Sequence, residues 1–208
     1  ECVRKATDLD VPATAKAVLI VEVDGEAQML DRHTARISEI VKPLGEVETR
    51  IADTPAQSEE LWKMRRSVSA SLRNVNPDKF NEDICVPRSK VPDMIRRVDE
   101  ISQRHTIPIV NFGHAGDGNI HVNIMVDRKK EGELEKAEDA IKEVFAAALE
   151  LGGTMSGEHG VGNTKAPYIP MELDPAAVAY MQTIKNALDP KNILNPGKIL
   201  LEQPIELA

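Results

Sequence analysis

The chain has 208 residues, which is enough to bury a core in one medium domain or two small ones without disulfides. Lys and Arg total 26 and Asp and Glu total 34, and the net charge of −8 argues against a general nucleic-acid binder and against attraction to an anionic membrane surface. The apolar runs are too short to span a bilayer and no signal peptide is visible, so we expect no integral membrane segment.

The hydrophobic patterns predict five strands and five helices. In chain order these are strand 17–23, helix 27–41, strand 46–51, helix 55–72, strand 83–86, helix 89–105, strands 107–112 and 119–126, and helices 133–151 and 176–188. Residues 1–14 lack periodicity and predict a tail or linker, whereas 15–208 predicts one domain. This order predicts an α+β fold with the helices packed mainly on one face of the sheet.

Two of the helices carry clear end signals. Pro43 and Gly45 are expected to end the first helix, because proline and glycine interrupt a helical pattern. Thr54 is a plausible N-cap for the second helix, and Pro55 suits its first turn.

The two cysteines, Cys2 and Cys85, are too few for a disulfide framework or a zinc ribbon. We therefore expect a reducing compartment and a cytoplasmic location.

The stretch 111–123 carries the clearest chemical signal. Asp117-Gly118 between two apolar segments predicts a two-residue type I′ turn. That register places His114 directly opposite His121, with Cβ atoms about 5 Å apart, and Asn123 on the same face. The two imidazoles could then converge on one metal ion or on one substrate. The alternative is that both histidines merely flank a glycine-rich turn.

A second signal is the glycine-flanked loop 156–162, in which Glu158 and His159 are adjacent. Two histidines plus a carboxylate form a known catalytic zinc set and also the facial set of non-haem iron. His159 would then be free to act as a base. The alternative is a helix-capping loop with surface charge.

Other charged groups are weaker candidates. Arg65 lies beside the single tryptophan and could bind a carboxylate, although a solvated helix face explains it equally well. Glu82 and Asp83 are expected at the surface. The simplest interpretation of residues 195–198 is that they end the last helix.

Three separated motifs, taken together, resemble the C-terminal domain of FAD-linked 2-hydroxy-acid oxidases and dehydrogenases. The group includes the glycolate oxidase D subunit, D-lactate dehydrogenase and D-2-hydroxyglutarate dehydrogenase. The motifs lie at 113–123, 156–160 and 195–198, and the similarity runs from about residue 17 to 201. The resemblance implies a ferredoxin-like antiparallel sheet with a C-terminal helical extension. It also implies that an N-terminal FAD-binding domain is missing, which the start at Glu1 also suggests.

The resemblance further implies a role for each matching residue. The implied roles are metal ligands for His114, His121 and Glu158, the catalytic base for His159, substrate binding for Arg65 and Asn123, and a position near FAD for Asn195, Gly197 and Lys198. The implied metal is divalent, with zinc or manganese preferred.

The same resemblance implies oxidation of a small D-2-hydroxy acid of the glycolate or D-lactate type to the 2-oxo acid, with hydride transfer to FAD. A small monocarboxylate is favoured because some relatives have a lysine where Asn81 or Glu82 stands here. The partners would be the FAD-binding domain of the same chain and an electron-acceptor subunit, which could bring the protein to the membrane surface. This part alone is expected to be inactive.

Two other classes of function stay open from the sequence. A self-sufficient metal hydrolase would use the same His114, His121 and Glu158, with His159 as a proton shuttle. A non-catalytic ferredoxin-like binding module would use the histidines only structurally.

Overall fold

The computed structural model describes residues 11–45 and 48–200, which divide into two compact units, one up to Asn74 and one from Val75 onward. The elements are α1 (Ala27–Val41), α2 (Pro55–Ser71), β1 (Asp78–Cys85), α3 (Val91–His105), β2 (Ile109–His114), β3 (Asn119–Val126), α4 (Glu133–Glu150), α5 (Ile169–Glu172) and α6 (Pro175–Leu188). Among these described residues, each helix is too short or too polar to cross a membrane. The proposed boundaries, a tail over 1–14 and one domain over 15–208, stay predictions.

The first unit contains the two helices that the sequence predicts. Helix α1 covers the predicted residues and is followed by a short 3₁₀ turn that ends at Gly45, where φ is +81°. Helix α2 begins with a capping box, in which Thr54 Oγ1 accepts from Gln57 N at 3.3 Å and Gln57 Oε1 accepts from Thr54 N at 3.1 Å. The predicted cap and the proline in the first turn are confirmed.

The two strands predicted for this unit are wrong over the described residues. Residues 17–23 and 48–51 form no β-ladder, and Glu46 and Val47 lie outside the described residues. Leu19 is 69% exposed and Ile51 is 52% exposed. An apolar alternating pattern shows that a segment could become a strand, but a ladder also needs a partner for its backbone groups. These segments instead line a cavity of about 620 Å³, together with Trp62.

The second unit is built on a three-stranded antiparallel sheet in the order β1-β3-β2. One face of the sheet, which includes Ile84 and Val122, packs against α3 and α4 through side chains such as Val98 and Phe145, all of them fully buried. Central strand β3 is buried along its whole length. The predicted arrangement, with helices on one face of an antiparallel sheet, is confirmed for this unit, and the ferredoxin-like topology stays a prediction.

The remaining boundaries differ modestly from the predicted ones. Strand β1 begins five residues earlier than predicted, and α3 begins after a 3₁₀ turn over Arg88–Lys90. Helix α4 ends before Gly152, where φ is +77°. Helix α6 begins with Asp174 as its N-cap, whose side chain accepts from Ala177 N at 2.8 Å. The short helix α5 was not predicted.

Candidate metal and proton-transfer site

The hairpin between β2 and β3 has a longer loop than the sequence predicts. His114 lies opposite Asn119, and His121 lies opposite Phe112, so the loop has four residues and the predicted His114–His121 pairing is wrong. Val86 N donates to the Gly118 carbonyl at 3.0 Å, which ties the loop to the chain beyond β1. The register differs from the prediction by two residues, an even number, so both histidines still lie on one face of the sheet.

This face is the one opposite α3 and α4, and it is polar. Strand β3 contributes Asn119, His121 and Asn123 to it, and their exposed fractions are 6%, 5% and 0%. Strand β1 contributes Asp83, which lies directly across from His121. Alternation along the strands thus separates an apolar core face from a polar face that is also buried.

Asp83 is a fully buried carboxylate that organises this face. Its Oδ1 accepts from Asn119 Nδ2 at 2.6 Å, and its Oδ2 accepts from the backbone N–H groups of Glu158 and His159 at 2.7 and 2.8 Å. Burial alone would raise the pKa of the Asp83 carboxyl. The hydrogen bonds from His159, Asn119 and Glu158 outweigh burial and hold its pKa below the ordinary value.

The loop held by Asp83 brings two side chains to His121. Glu158 Oε1 lies 3.3 Å from His121 Nε2, and the His159 ring stacks on the His121 ring with centroids 5.0 Å apart and planes at 18°. One ligand atom each from Asp83, His121, Glu158 and His159 lies within 4.8 Å of all the others. Both Glu158 and His159 are exposed, so the cluster is open on one side.

The environment of His121 favours a neutral imidazole. Burial lowers its pKa, and the neighbouring His159 and His114 rings add to that effect, against the opposing charges of Asp83 and Glu158. A neutral ring keeps a lone pair that can bind a metal ion or accept a proton. Among the described residues, His121 Nδ1 has no hydrogen-bond partner, and Asp83 Oδ1 lies 3.8 Å from it.

His114 and Asn123 lie on the same face but in different settings. The exposed His114 ring meets the His121 ring edge-on, with centroids 5.6 Å apart, outside the four-residue cluster. Asn123 is fully buried, and its Nδ2 donates to the carbonyls of Val110 and His121, each at 3.1 Å. Their implied roles as metal ligand and substrate contact stay predictions.

The other residues singled out in the sequence belong to other elements of the chain. Arg65 is half-buried on α2 of the first unit. Asn195, Gly197 and Lys198 lie in the exposed segment after α6. Asp189 shapes this segment, because its carboxylate accepts from the backbone N–H groups of Ile193 and Leu194 at 3.0 and 2.9 Å.

Sequence reasoning missed the residues that support the cluster. Glu82 and Asp83, expected at the surface, are 6% and 0% exposed. Asn119 and Lys165 were not singled out, although they are 6% and 4% exposed. An Asn-Glu-Asp run at the start of a predicted apolar strand was the available signal, because charges there need partners if the strand is buried.

Gly157 lets the loop pass close to this cluster, and a substitution there tests the packing. A Cβ on Gly157 would overlap Asn119 Nδ2 and come within 2.8 Å of Asp83 Oδ1. We expect Gly157→Ala to lower the free energy of unfolding by about 1–3 kcal/mol, as overpacking does. Gly116→Ala is the matched control, since a Cβ there meets nothing within 4 Å. Urea unfolding of both variants makes the measurement, and equal stability would contradict the close approach.

The chain resembles known oxidases and dehydrogenases along most of its length. It is 41% identical to glycolate oxidase subunit GlcD of Bacillus subtilis (strain 168), over 92% of this chain and 41% of that protein. It is 37% identical to D-2-hydroxyglutarate dehydrogenase of Stutzerimonas stutzeri (strain A1501), over 72% of this chain and 32% of that protein. The chain therefore spans well under half the length of these relatives.

Comparisons of fold and family agree with this likeness. The crystal structure of p-cresol methylhydroxylase with substrate bound matches with a TM-score of 0.61 at 18% identity. The match covers 86% of this chain and 37% of that one, and at this identity it shows the fold alone. The class of protein, shown by a family match rather than by this fold likeness, is that of FAD-linked oxidases. Residues 1–199 match the family described as FAD linked oxidases, C-terminal domain, and the chain belongs to that family.

Proposed function

We propose that this chain is the substrate-binding part of a flavoprotein that oxidises a small D-2-hydroxy acid, of the glycolate or D-lactate type, to the 2-oxo acid. The observation that carries the proposal is the open cluster around His121 in a chain of this family. Relatives named glycolate oxidase and D-lactate dehydrogenase support a 2-hydroxy acid as substrate. Since the chain spans only part of these relatives, we propose that an FAD-binding domain of the same polypeptide completes the enzyme.

The donor set fits a divalent metal ion. Imidazole nitrogens and a carboxylate oxygen are the ligands that zinc prefers, and manganese also accepts them. We propose His114, His121 and Glu158 as the ligands, of which His121 Nε2 and Glu158 Oε1 are 3.3 Å apart. The low pKa of His121, caused first by burial, keeps its lone pair available near neutral pH. Asp83 is better suited to support than to ligation, because both its oxygens already accept hydrogen bonds.

The proposed reaction assigns a separate role to each remaining candidate residue. When bound, the metal would polarise the substrate hydroxyl and FAD would accept the hydride from C2. His159 is proposed to take the hydroxyl proton, since its ring is exposed and stacked beside the His121 ring. Asn123 and Arg65 are proposed to orient the substrate, Arg65 by binding its carboxylate.

The segment after α6 is proposed to contact the flavin. Asn195, Gly197 and Lys198 are exposed there and offer amide and ammonium donors, which suit the carbonyl and phosphate oxygens of FAD. Without the flavin domain, we expect this chain to be inactive towards 2-hydroxy acids.

Metal content tests the proposed ligands directly. We expect the purified chain to hold about one zinc or manganese ion, and the His114→Ala/His121→Ala double variant to hold almost none. The measurement is plasma mass spectrometry after exhaustive dialysis. The matched control is His33→Ala/His105→Ala, which removes two histidines that lie on helices α1 and α3 and not on the sheet. Equal metal in both double variants would contradict the assignment, and a metal-free wild type would contradict a preassembled site.

A further inference from the structure

Lys165 is a buried lysine that no proposed catalytic step uses. Its side chain is 4% exposed in the second unit, and its ammonium lies 5.9 Å from the centre of the Phe145 ring. Burying an ammonium group is costly unless it is paired and hydrogen-bonded. The carboxyl groups of Glu82 and Asp83, which are 6% and 0% exposed, interact with it electrostatically. We therefore expect this buried ammonium group to make hydrogen bonds that offset the cost of its burial.

The ammonium group of Lys165 joins two backbone carbonyls. Lys165 Nζ donates to the Asp83 carbonyl in β1 and to the Met155 carbonyl in the segment that leads to the site, each at 2.8 Å. Asp83 belongs to an edge strand of the sheet, and Met155 belongs to the segment that runs beside that edge. The lysine therefore links the two sides of this edge.

The pairing along this edge begins regularly and is then interrupted. Cys85 and Thr154 exchange two backbone hydrogen bonds of 3.1 and 2.8 Å, as in an antiparallel ladder. The next regular pair would be Asp83 with Ser156. The Asp83 carbonyl instead accepts from Gly157 N at 3.1 Å, and Ser156 N donates to the Thr154 hydroxyl at 3.4 Å. The segment thus gains one residue relative to β1, as in a β-bulge.

This bulge determines where the next two residues lie. Immediately beyond it, the N–H groups of Glu158 and His159 reach the Asp83 carboxylate, and both side chains lie beside His121. Without the bulge, each later residue of the segment would be shifted by one position relative to β1. Side chains that now lie on the polar face would then point to the opposite face.

We propose that Lys165 is a positioning residue of the site, whose ammonium group fixes the bulge by tying the Asp83 and Met155 carbonyls together. Glu158 and His159 thereby reach the polar face beside His121. The hydrogen bonds that form the bulge all lie within the chain and need no metal ion. The importance of the bulge for catalysis rests on the proposed function.

Lys165→Met tests the inference, because it keeps the length of the side chain and removes the three N–H donors. We expect the amide hydrogens of Gly157, Glu158 and His159 to exchange at least about tenfold faster, whereas those of α3 and α4 keep their rates. The affinity for added Zn²⁺ or Mn²⁺ should fall at least about tenfold, as when a supporting residue of a metal site is lost. Hydrogen exchange followed by NMR and a metal titration make the two measurements.

Two further variants keep the result interpretable. Glu82→Gln/Lys165→Met removes the ionisable groups of both side chains, so it stays informative if Lys165→Met alone fails to fold. The same three amides should exchange faster in it. Lys142→Met, on the exposed side of α4, is the matched control and should change neither exchange nor affinity.

The outcomes separate the two proposals. Unchanged exchange at Gly157, Glu158 and His159 in both Lys165 variants would overturn the positioning role. Faster exchange spread evenly over α3 and α4 would also overturn it, because it would show a general loss of stability. If the wild-type chain binds neither metal ion, the metal-dependent function fails, and the exchange rates still decide the role of Lys165.

Discussion

His159→Ala should slow the reduction of FAD by about 10²- to 10⁴-fold in the polypeptide that contains the flavin domain, which is the usual contribution of a positioned acid or base. The imidazole of His159 is exposed and lies beside His121, where it can reach a substrate hydroxyl. Its backbone N–H is held by Asp83 at 2.8 Å, a contact that alanine keeps. The loss should therefore be chemical rather than structural.

Anaerobic stopped-flow measurement of flavin bleaching by D-lactate and by glycolate gives the rate for this variant. FAD content, read from the absorbance spectrum, should stay unchanged, and added imidazole should restore part of the rate. His33→Ala, an exposed histidine on α1, is the control and should react like the wild type. A wild-type rate in His159→Ala would exclude His159 as the base.

Asp83→Ala should be the most destabilising single change in the site. It leaves three donors, Asn119 Nδ2 and the N–H groups of Glu158 and His159, without their acceptor. Each buried donor left unsatisfied costs about 1–3 kcal/mol. Water can solvate the two loop amides, since Glu158 and His159 are exposed, so we expect a total loss of about 3 kcal/mol.

Urea unfolding of this chain measures the loss for Asp83→Ala, and the same variant should bind Zn²⁺ or Mn²⁺ more weakly. The control is Asp99→Ala, which removes an exposed carboxylate from α3 and should change stability by less than about 0.5 kcal/mol. If Asp83→Ala were as stable as the control, Asp83 would not be the organising group described above.

Local signals in the sequence located the helices well. The N-cap at Thr54 and the glycine after α1 act within a few residues, so they can be read without knowledge of the tertiary fold. The strands over 17–23 and 46–51 were predicted from apolar pattern alone. Pattern gives no information about a ladder partner, and the described parts of these segments have none in a β-ladder.

The candidate site was only partly visible in the sequence for a similar reason. Two short-range motifs stand out in the sequence, namely the glycine-flanked pair Glu158 and His159 and the two histidines of the hairpin. The two-residue turn was wrong because Gly118 also bonds to Val86, a contact between distant parts of the chain. Asp83 lies 75 residues before Glu158, and its role depends on such long-range contacts.

The segment 154–157 has a second consequence, for solubility. It covers part of the outer edge of β1, where Cys85 and Asp83 would otherwise present open backbone donors and acceptors. Exposed strand edges are templates for pairing with other chains. A substitution that releases this segment would therefore promote aggregation as well as impair the site. Screens of activity in cell extracts would confuse these two effects, so site variants need a measurement of the monomer fraction beside each rate.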